Sequence, residues 1–161
     1  MNPVVSEAPA STETAIHRRV AACRAGTEST LVARMESGWV VLGDPQVLPG
    51  YCLLLPDPVV PHLNALPTAA QQAFLADLAR LGDALLAVTG AVRINYAIFG
   101  NVEPALHAHA FPRLHDEPAH LRQANPWGWD WTAAPRFDPA AHAGLVRRIR
   151  AALAGTGGRE P

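Results

Sequence analysis

The sequence has no apolar run of about 18 residues, and it lacks a charged N-terminal region followed by a short apolar core. The first absence argues against a membrane-spanning helix, and the second argues against a secretory signal peptide. The formal net charge is −1, so a large basic surface for nucleic acid is not expected. We therefore expect a cytoplasmic protein whose partners include neither a membrane nor a nucleic acid.

Cysteine is also scarce, since Cys23 and Cys52 are the only two in the chain. They do not form a metal-ligand pattern such as Cys-x-x-Cys, and they permit at most one disulfide. Cys52 lies in an apolar segment, which favours a core thiol over a reactive one. Two reduced structural thiols are the preferred interpretation, and the sequence implies no cofactor and no metal.

Hydrophobic residues, by contrast, make up 49% of the 161 residues, while charged residues make up only 17%. This length and composition predict one folded domain with a sizeable core. We place the domain at residues 13–154, with a core at 30–114 and a C-terminal extension at 115–154. Residues 1–12 and 155–161 are predicted to be flexible tails.

The first part of the domain shows mainly strand signals. A short amphipathic helix is predicted after Glu13 and ends at Gly26. The segments Thr30–Met35 and Gly38–Leu42 predict a hairpin. The continuous apolar run Tyr51–Leu55 predicts a buried central strand.

The clearest helix follows a Pro-rich connection. Thr68 and Gln71 have the spacing of a capping box, and Gly90 supplies a helix stop. The apolar stripe between them predicts a helix that packs on one face of the sheet, and it consists of Phe74, Leu78, Leu81, Leu85 and Val88. A further helix is predicted after Asp138 and Pro139.

The candidate chemistry lies between Arg93 and Leu114, in the sequence RINYAIFGNVEPALHAHAFPRL. Two segments of strand character are joined by the loop Gly100–Pro104. In the second segment His107 and His109 alternate with apolar residues, and residues i and i+2 of a strand share a face. The two imidazoles should project to the same side, roughly 6–7 Å apart along the chain. Pro112 is expected to end the strand.

The segment PALHAHAFPR, preceded by INYAIFGN, resembles the motif of the histidine triad superfamily of nucleotide hydrolases and transferases. That motif alternates three histidines with apolar residues and in many members ends in Pro-Arg after a Gly-Asn loop. Upstream, GDPQVLPGYCLLLP is similar to the family's first core hairpin, so the resemblance covers about half of the chain. It implies an α+β fold with an antiparallel sheet of about five strands, one main packed helix and additional terminal helices.

Two positions depart from the family pattern. Ala105 stands where the first histidine of the triad is expected, and Tyr51 stands where a further histidine is common. The middle histidine of the motif, which is the nucleophile in the family, corresponds to His107, and the last corresponds to His109. The nucleophile is therefore retained, with fewer supporting histidines around it.

The resemblance implies hydrolysis or transfer at the α-phosphate of a nucleotide derivative, such as a dinucleoside polyphosphate or a nucleoside phosphoramidate. His107 would form a covalent nucleotidyl-histidine intermediate, because a neutral imidazole with a pKa near 6.5 can attack without a partner base. Its second ring nitrogen would donate to a backbone carbonyl. His109, Asn101 and Asn95 would contact phosphate oxygens, and Asp44 would accept ribose hydroxyls. The scheme demands no metal.

Other interpretations stay open. His107 and His109 could be ordinary strand residues, or they could bind a transition metal together with His115 or His120. The two departures from the motif would also suit a nucleotide-binding protein with little turnover.

The extension contains Trp127, Trp129 and Trp131 in alternation. Such a cluster could stack on a base, although it more often anchors an irregular segment or forms a subunit contact, and we favour anchoring. Family members are often homodimers that pair through the main helix and an edge strand. The resemblance implies a homodimer as the candidate assembly here.

Overall fold

A computed structural model of the protein describes residues 13–155, so most of both predicted tails, residues 1–12 and 156–161, lies outside the described residues. The described part contains three α-helices and five β-strands. In chain order these are α1 (Ala15–Ala25), β1 (Leu31–Arg34), β2 (Gly38–Leu42), β3 (Cys52–Pro56), α2 (Thr68–Thr89), β4 (Arg93–Ile98), β5 (Ala108–Arg113) and α3 (Pro139–Gly155).

The strands form one antiparallel sheet in the order β1-β2-β3-β5-β4. The predicted α+β fold, with five strands, a main helix and terminal helices, is confirmed. β3 lies at the centre and is buried along its whole length, as its continuous apolar sequence predicts. β4 lies at an edge and is only partly covered.

One face of the sheet is covered by α2 and α3. The predicted stripe of α2 faces the sheet, since Phe74, Leu81 and Leu85 are fully buried. From α3, Ile149 and Leu153 join the same core. Full burial of each such side chain stabilises the fold by roughly 1.5–3 kcal/mol, so this layer holds the central strands firmly.

The ends of α2 correct one prediction. Pro67 occupies the N-cap position and no side chain caps the helix, because Thr68 already belongs to its first turn. The predicted capping box of Thr68 and Gln71 is therefore wrong, and Gln71 Nε2 instead donates to the carbonyl of Leu63 at 3.2 Å. The predicted stop is correct: Gly90 has a φ of 69°, a left-handed conformation that glycine adopts without steric cost.

The limits of β5 and α3 also differ from prediction. β5 continues through Pro112, which lies opposite Ile94 of β4, and ends at Arg113. The proline is tolerated because β3 pairs only with Ala108–Ala110, so β5 has a neighbour on one side alone at this point. α3 extends to Gly155, one residue into the predicted C-terminal tail.

The other face of the sheet is covered by α1 and by an irregular segment, residues 114–138, which we call the strap. Val41, Leu53 and Leu55 of the sheet are buried beneath these two elements. The covering side chains are Ile16, Val20 and Cys23 from α1 and Trp129 and Trp131 from the strap. The two faces of the sheet therefore have separate apolar cores.

Both cysteines are free and buried, one in each core. Burial raises the pKa of the Cys23 thiol to about 11, and it raises the pKa of Cys52 as well. Thiols that stay protonated at neutral pH are poor nucleophiles, so the predicted structural role fits. Among the described residues, no helix is long and apolar enough to cross a membrane.

A buried ion pair fastens the start of the strap. Arg113 Nη2 lies 2.7 Å from Glu117 Oε2, and the two side chains are only 8% and 3% exposed. The same guanidinium donates to the carbonyls of Leu121 and Ala124, and the backbone N–H of Leu114 donates to Glu117. One arginine thus organises the first ten or so residues of the strap.

Candidate active site

His107 lies immediately before β5, on the face of the sheet that carries α1 and the strap. Its side chain is held by a hydrogen bond between Nδ1 and the carbonyl oxygen of Ala105, at 2.8 Å. A carbonyl oxygen can only accept, so Nδ1 carries the proton and Nε2 keeps a free lone pair. The expected bond to a backbone carbonyl is present, and it fixes the ring in the tautomer that a nucleophile needs.

His109 is held by a residue from a distant part of the chain. The hydroxyl of Tyr51, 58 positions earlier, lies 2.8 Å from its Nδ1. The two rings are stacked, with centroids 5.9 Å apart and 12° between their planes. When the hydroxyl donates to Nδ1, the proton of the neutral imidazole sits on Nε2, which then becomes a donor.

Burial keeps both Tyr51 and His109 uncharged. Desolvation, with a smaller contribution from the charge of nearby His107, lowers the pKa of His109 to about 4. Burial raises the pKa of Tyr51, so its hydroxyl stays protonated. At neutral pH the Tyr51 hydroxyl and the His109 imidazole are therefore both uncharged.

The two imidazoles lie side by side, as their alternation in the sequence predicts. Their centroids are 4.9 Å apart and their planes are inclined by 69°. A free lone pair on His107 and a potential N–H donor on His109 thus share one face of the sheet. The lone pair of His107 can attack an electrophilic atom, while the N–H of His109 donates a hydrogen bond to an oxygen on that atom.

Aromatic side chains surround His109. Phe111 stacks on it at 5.6 Å between centroids, and Trp127 meets its edge at 5.4 Å. Trp129 and Trp131 pack on the core beneath the strap, so the anchoring role holds for them. Trp127 differs, because it is 45% exposed and also contacts the exposed ring of Phe99, besides Phe111 and Trp131.

Of the remaining predicted site residues that the structure describes, Asn95 lies beside the histidines, on the neighbouring strand, whereas Asn101 and Asp44 are not hydrogen-bonded to them. Asn95 is on the same face, opposite Phe111, and its Oδ1 accepts from Arg113 at 2.6 Å, which leaves its Nδ2 as a donor. Asn101 is exposed in the loop between β4 and β5. The carboxylate of Asp44 accepts from Arg136 Nη2 at 2.9 Å and from the N–H of residue 137 at 3.0 Å. No hydrogen bond among the described residues joins Asn101 or Asp44 to the histidine pair.

A cleft of about 890 Å³ opens beside the pair, between β4 and the strap. Its walls include Asn95 and Ala97 from β4, Phe111 from β5 and Trp127 from the strap. His109 does not line it, but Phe111 and Trp127 contact His109 directly, and Ala97 is its partner across the strands. The cleft therefore adjoins the site.

No protein-family model and no curated protein matches the sequence, whereas solved structures match its fold. A histidine triad protein from Marinobacter aquaeolei VT8 matches with a TM-score of 0.69 at 22% identity, over 88% of this chain and 97% of that one. A histidine triad protein from Sinorhizobium meliloti 1021 matches with 0.64 at 21% identity, over 74% and 85%. A protein from Sulfolobus tokodaii strain 7, described as a hypothetical histidine triad nucleotide-binding protein, matches with 0.67 at 14% identity, over 86% and 92%. The chain has the histidine triad fold.

The two histidines lie at the start of β5, the strand between the central β3 and the edge strand β4. Ala105, which the sequence predicts at the first position of the motif, is buried, and its backbone carbonyl accepts from His107. His115 and His120 are exposed on the strap. Across residues 13–155 no group of three or more His, Cys, Asp or Glu side chains is placed to hold a metal ion. The metal-binding interpretation therefore lacks a third ligand in this part of the chain.

The neutral His109 predicts a pH-dependent stability. Its pKa is near 6.5 in an unfolded chain and about 4 in the fold, so below pH 6.5 the unfolded state binds the proton first. The free energy of unfolding should therefore fall as the pH drops from about 6.5 to about 4, by at most roughly 3 kcal/mol from this residue. Urea unfolding of wild type and of His109→Gln across this range measures it.

The difference in the free energy of unfolding between wild type and His109→Gln isolates the contribution of His109, because the carboxylates contribute equally to the pH dependence of both proteins. His62→Ala, which removes an exposed histidine, should keep the wild-type dependence. An identical loss of stability in wild type and His109→Gln would contradict a neutral, partly buried His109 in the folded state.

Proposed function

We propose that the protein is a nucleotide hydrolase or nucleotidyl transferase that acts at the α-phosphate of a nucleotide derivative. The substrate would be of the dinucleoside polyphosphate or nucleoside phosphoramidate type. The observation that carries this proposal is the hydrogen bond from His107 to the Ala105 carbonyl, which leaves Nε2 as a free nucleophile beside the second histidine. The Sulfolobus protein of the same fold, described as nucleotide-binding, supports the ligand class.

In the first step Nε2 of His107 attacks phosphorus, and the bond from phosphorus to the leaving group breaks. The leaving group departs with the electron pair, and the imidazole becomes positively charged. The Nδ1–H donated to the Ala105 carbonyl stabilises that charge. In the second step water, or another acceptor hydroxyl, attacks phosphorus and the bond from phosphorus to Nε2 breaks. The electron pair of that bond returns to the neutral imidazole of His107, and the proton of the attacking hydroxyl is released to solvent.

Charge that develops on the phosphate oxygens needs donors. His109 Nε2–H is the nearest candidate, with Asn95 Nδ2 on the neighbouring strand. Asn101 would have to be brought in by its exposed loop. Each fixed donor of this kind contributes about 10²–10³ in rate. The assignment of ribose hydroxyls to Asp44 stays a prediction, as does the cytoplasmic location.

A nucleotide-binding protein with little turnover is the second candidate. It is favoured by the burial of His107, whose side chain is only 7% exposed, and by Ala105 in place of a histidine. A turnover assay distinguishes this candidate from the hydrolase. The wild type is incubated, without added metal, with adenosine and guanosine polyphosphates and phosphoramidates, and hydrolysis is followed by chromatography. If nucleotides bind but no compound is hydrolysed, the hydrolase is excluded and the nucleotide-binding protein is supported.

We also propose a homodimer that pairs through β4 and α2. Leu75, Tyr96 and Ile98 are exposed apolar residues that meet in one groove between these elements. An unpaired edge strand can pair with a strand of another chain, and an exposed apolar patch beside it marks an interaction site. Light scattering should give twice the monomer mass of 17.1 kDa, and Leu75→Lys should shift the protein toward the monomer. A monomeric wild type at high concentration would contradict the dimer.

A further inference from the structure

We infer that Glu103 is a positioning residue for the proposed nucleophile His107. Its carboxylate joins the N-terminus of α1 to Ala105, whose carbonyl orients the His107 imidazole. Its negative charge favours the positive charge that this imidazole acquires during attack. The inference rests on the proposed function and adds a residue to its site. It is carried by the hydrogen bonds, the packing and the charge of the loop that precedes β5.

The two carboxylate oxygens of Glu103 have partners in different parts of the chain. Oε1 accepts from the backbone N–H of Ala105 at 3.2 Å, and Oε2 accepts from the N–H of Ala15, 88 positions earlier, at 3.0 Å. Ala15 is the first residue of α1, where backbone N–H groups have no partner within the helix. A carboxylate at this end also interacts favourably with the helix dipole. The next residue of α1, Ile16, packs in the same apolar cluster as Ala105.

Ala105 is held on both sides of its α-carbon. Its own N–H donates to Glu103, and the N–H of Leu106 donates to the carbonyl of Val60 at 2.8 Å. The Ala105 carbonyl belongs to the same planar peptide unit as the Leu106 N–H, and it accepts from Nδ1 of His107 at 2.8 Å. The direction of this carbonyl therefore depends on Glu103 on one side and on Val60 on the other.

The charge of Glu103 also acts on the histidine. Burial alone would raise the pKa of Glu103. The Thr14 hydroxyl, the N–H groups of Ala105 and Ala15 and the positive charge of protonated His107 outweigh burial and hold this pKa below its ordinary value. The carboxylate is therefore ionised at neutral pH. An interaction between two charges is mutual, so a positive His107 is favoured by the carboxylate in turn.

This charge matters in the first step of the proposed reaction. When Nε2 of His107 bonds to phosphorus, the leaving group departs with its electron pair and the imidazole becomes positive. The Ala105 carbonyl accepts the Nδ1–H, and Glu103 supplies a negative charge that acts on the same ring. His109 stays neutral, so it carries no competing positive charge. Glu103 thus stabilises the covalent intermediate without contacting the substrate.

The first experiment compares the two steps of turnover in wild type and Glu103→Gln, which removes the charge and keeps the size of the side chain. Rapid quenching with a dinucleoside polyphosphate should show formation of the nucleotidyl-histidine about tenfold slower. Its hydrolysis should not be slowed, because the intermediate is less stable, so less adduct accumulates. A loss of structure alone would slow both steps.

Two further variants serve as controls. Glu103→Asp keeps the charge, and a shorter carboxylate still accepts from the N–H two residues on, so most of the rate of adduct formation should return. Glu36→Gln removes an exposed carboxylate in the turn between β1 and β2 and should behave like wild type.

The second experiment needs no turnover. A carbon-13 NMR titration should give a pKa of Glu103 below its ordinary value in wild type, and this pKa should rise in His107→Gln because the positive charge is gone. His120→Gln, which removes an exposed histidine of the strap, should keep the wild-type value. The Nδ1 proton of His107 should exchange with water faster in Glu103→Ala, since Ala105 is then held on one side only.

Three results would each overturn the inference. They are wild-type rates for both steps in Glu103→Gln, equal slowing of both steps, and a Glu103 pKa that His107→Gln leaves unchanged. Failure of the proposed function looks different. If no nucleotide derivative is hydrolysed while both NMR results are obtained, the positioning of His107 stands and the hydrolase does not. If hydrolysis proceeds through His107 and Glu103→Gln matches wild type, the hydrolase stands and the role of Glu103 does not.

Discussion

Replacing His107, the proposed nucleophile, by alanine is expected to lower kcat/KM for the proposed nucleotide substrate by at least about 10³-fold. The reason is that Nε2 of this residue is the imidazole nitrogen in the site that both keeps a lone pair and has its ring orientation fixed, through Nδ1 and the Ala105 carbonyl. Removing a covalent nucleophile eliminates the two-step route. The measurement is initial-rate hydrolysis of a dinucleoside polyphosphate by wild type and variant.

A structural control is necessary because His107 is buried. His62→Ala makes the same change at an exposed position and should leave the rate unchanged. Thermal unfolding should show that His107→Ala remains folded at the assay temperature. Added imidazole should restore part of the activity, because the truncated side chain leaves a space for it.

The covalent step has its own signature. Rapid quenching of wild type with substrate should give a protein heavier by one nucleotidyl group, and digestion should place that group on His107. The variant should show no such adduct. An adduct on another residue, or a rate that His107→Ala leaves within a few-fold of wild type, would refute the assigned nucleophile.

The parts of the fold that were predictable are those that depend on local patterns. The continuous apolar run of β3 and the stripe of α2 each reflect burial against a neighbour, and both were read correctly. The shared face of His107 and His109 follows from the period of a strand alone. Local capping was less reliable: the Thr68 prediction failed because the helix begins one residue earlier than the pattern suggested.

The contacts that give the site its properties could not be predicted, because they join distant segments. Tyr51 reaches His109 only through the pairing of β3 with β5, and the sequence signalled it merely as a departure from the family motif. The strap is a second case. Its tryptophans were assigned to anchoring as one group, yet Trp127 faces the cleft while Trp129 and Trp131 fill the core. The same alternating run of tryptophans thus contributes one side chain to the cleft and two to the core.

Arg113 shows how a motif residue can acquire a role that its motif does not state. The Pro-Arg ending supported the family resemblance, but in this structure the arginine holds the strap. The strap in turn supplies Trp127 to the cleft, and its Trp129 and Trp131 pack on the core of this face of the sheet. The site therefore depends on an ion pair that touches neither histidine.

Replacing Glu117 by glutamine is expected to lower the free energy of unfolding by about 3 kcal/mol. Both members of the pair are buried, at 8% and 3% exposure, so the change leaves the guanidinium of Arg113 uncompensated away from water. Urea unfolding measures the loss. Arg136→Gln breaks the pair with Asp44, whose side chains are 75% and 30% exposed, and should cost less than about 1 kcal/mol because solvent screens that pair.

A double variant then separates the charge from the hydrogen bonds. When Arg113→Met and Glu117→Leu are combined, no buried charge remains, and a buried pair replaced in this way often costs little. Here recovery should be incomplete, because the carbonyls of Leu121 and Ala124 lose the donor that Arg113 provides. A double variant as stable as wild type would mean that those bonds contribute nothing. A Glu117→Gln protein as stable as wild type would mean that the ion pair does not hold the strap.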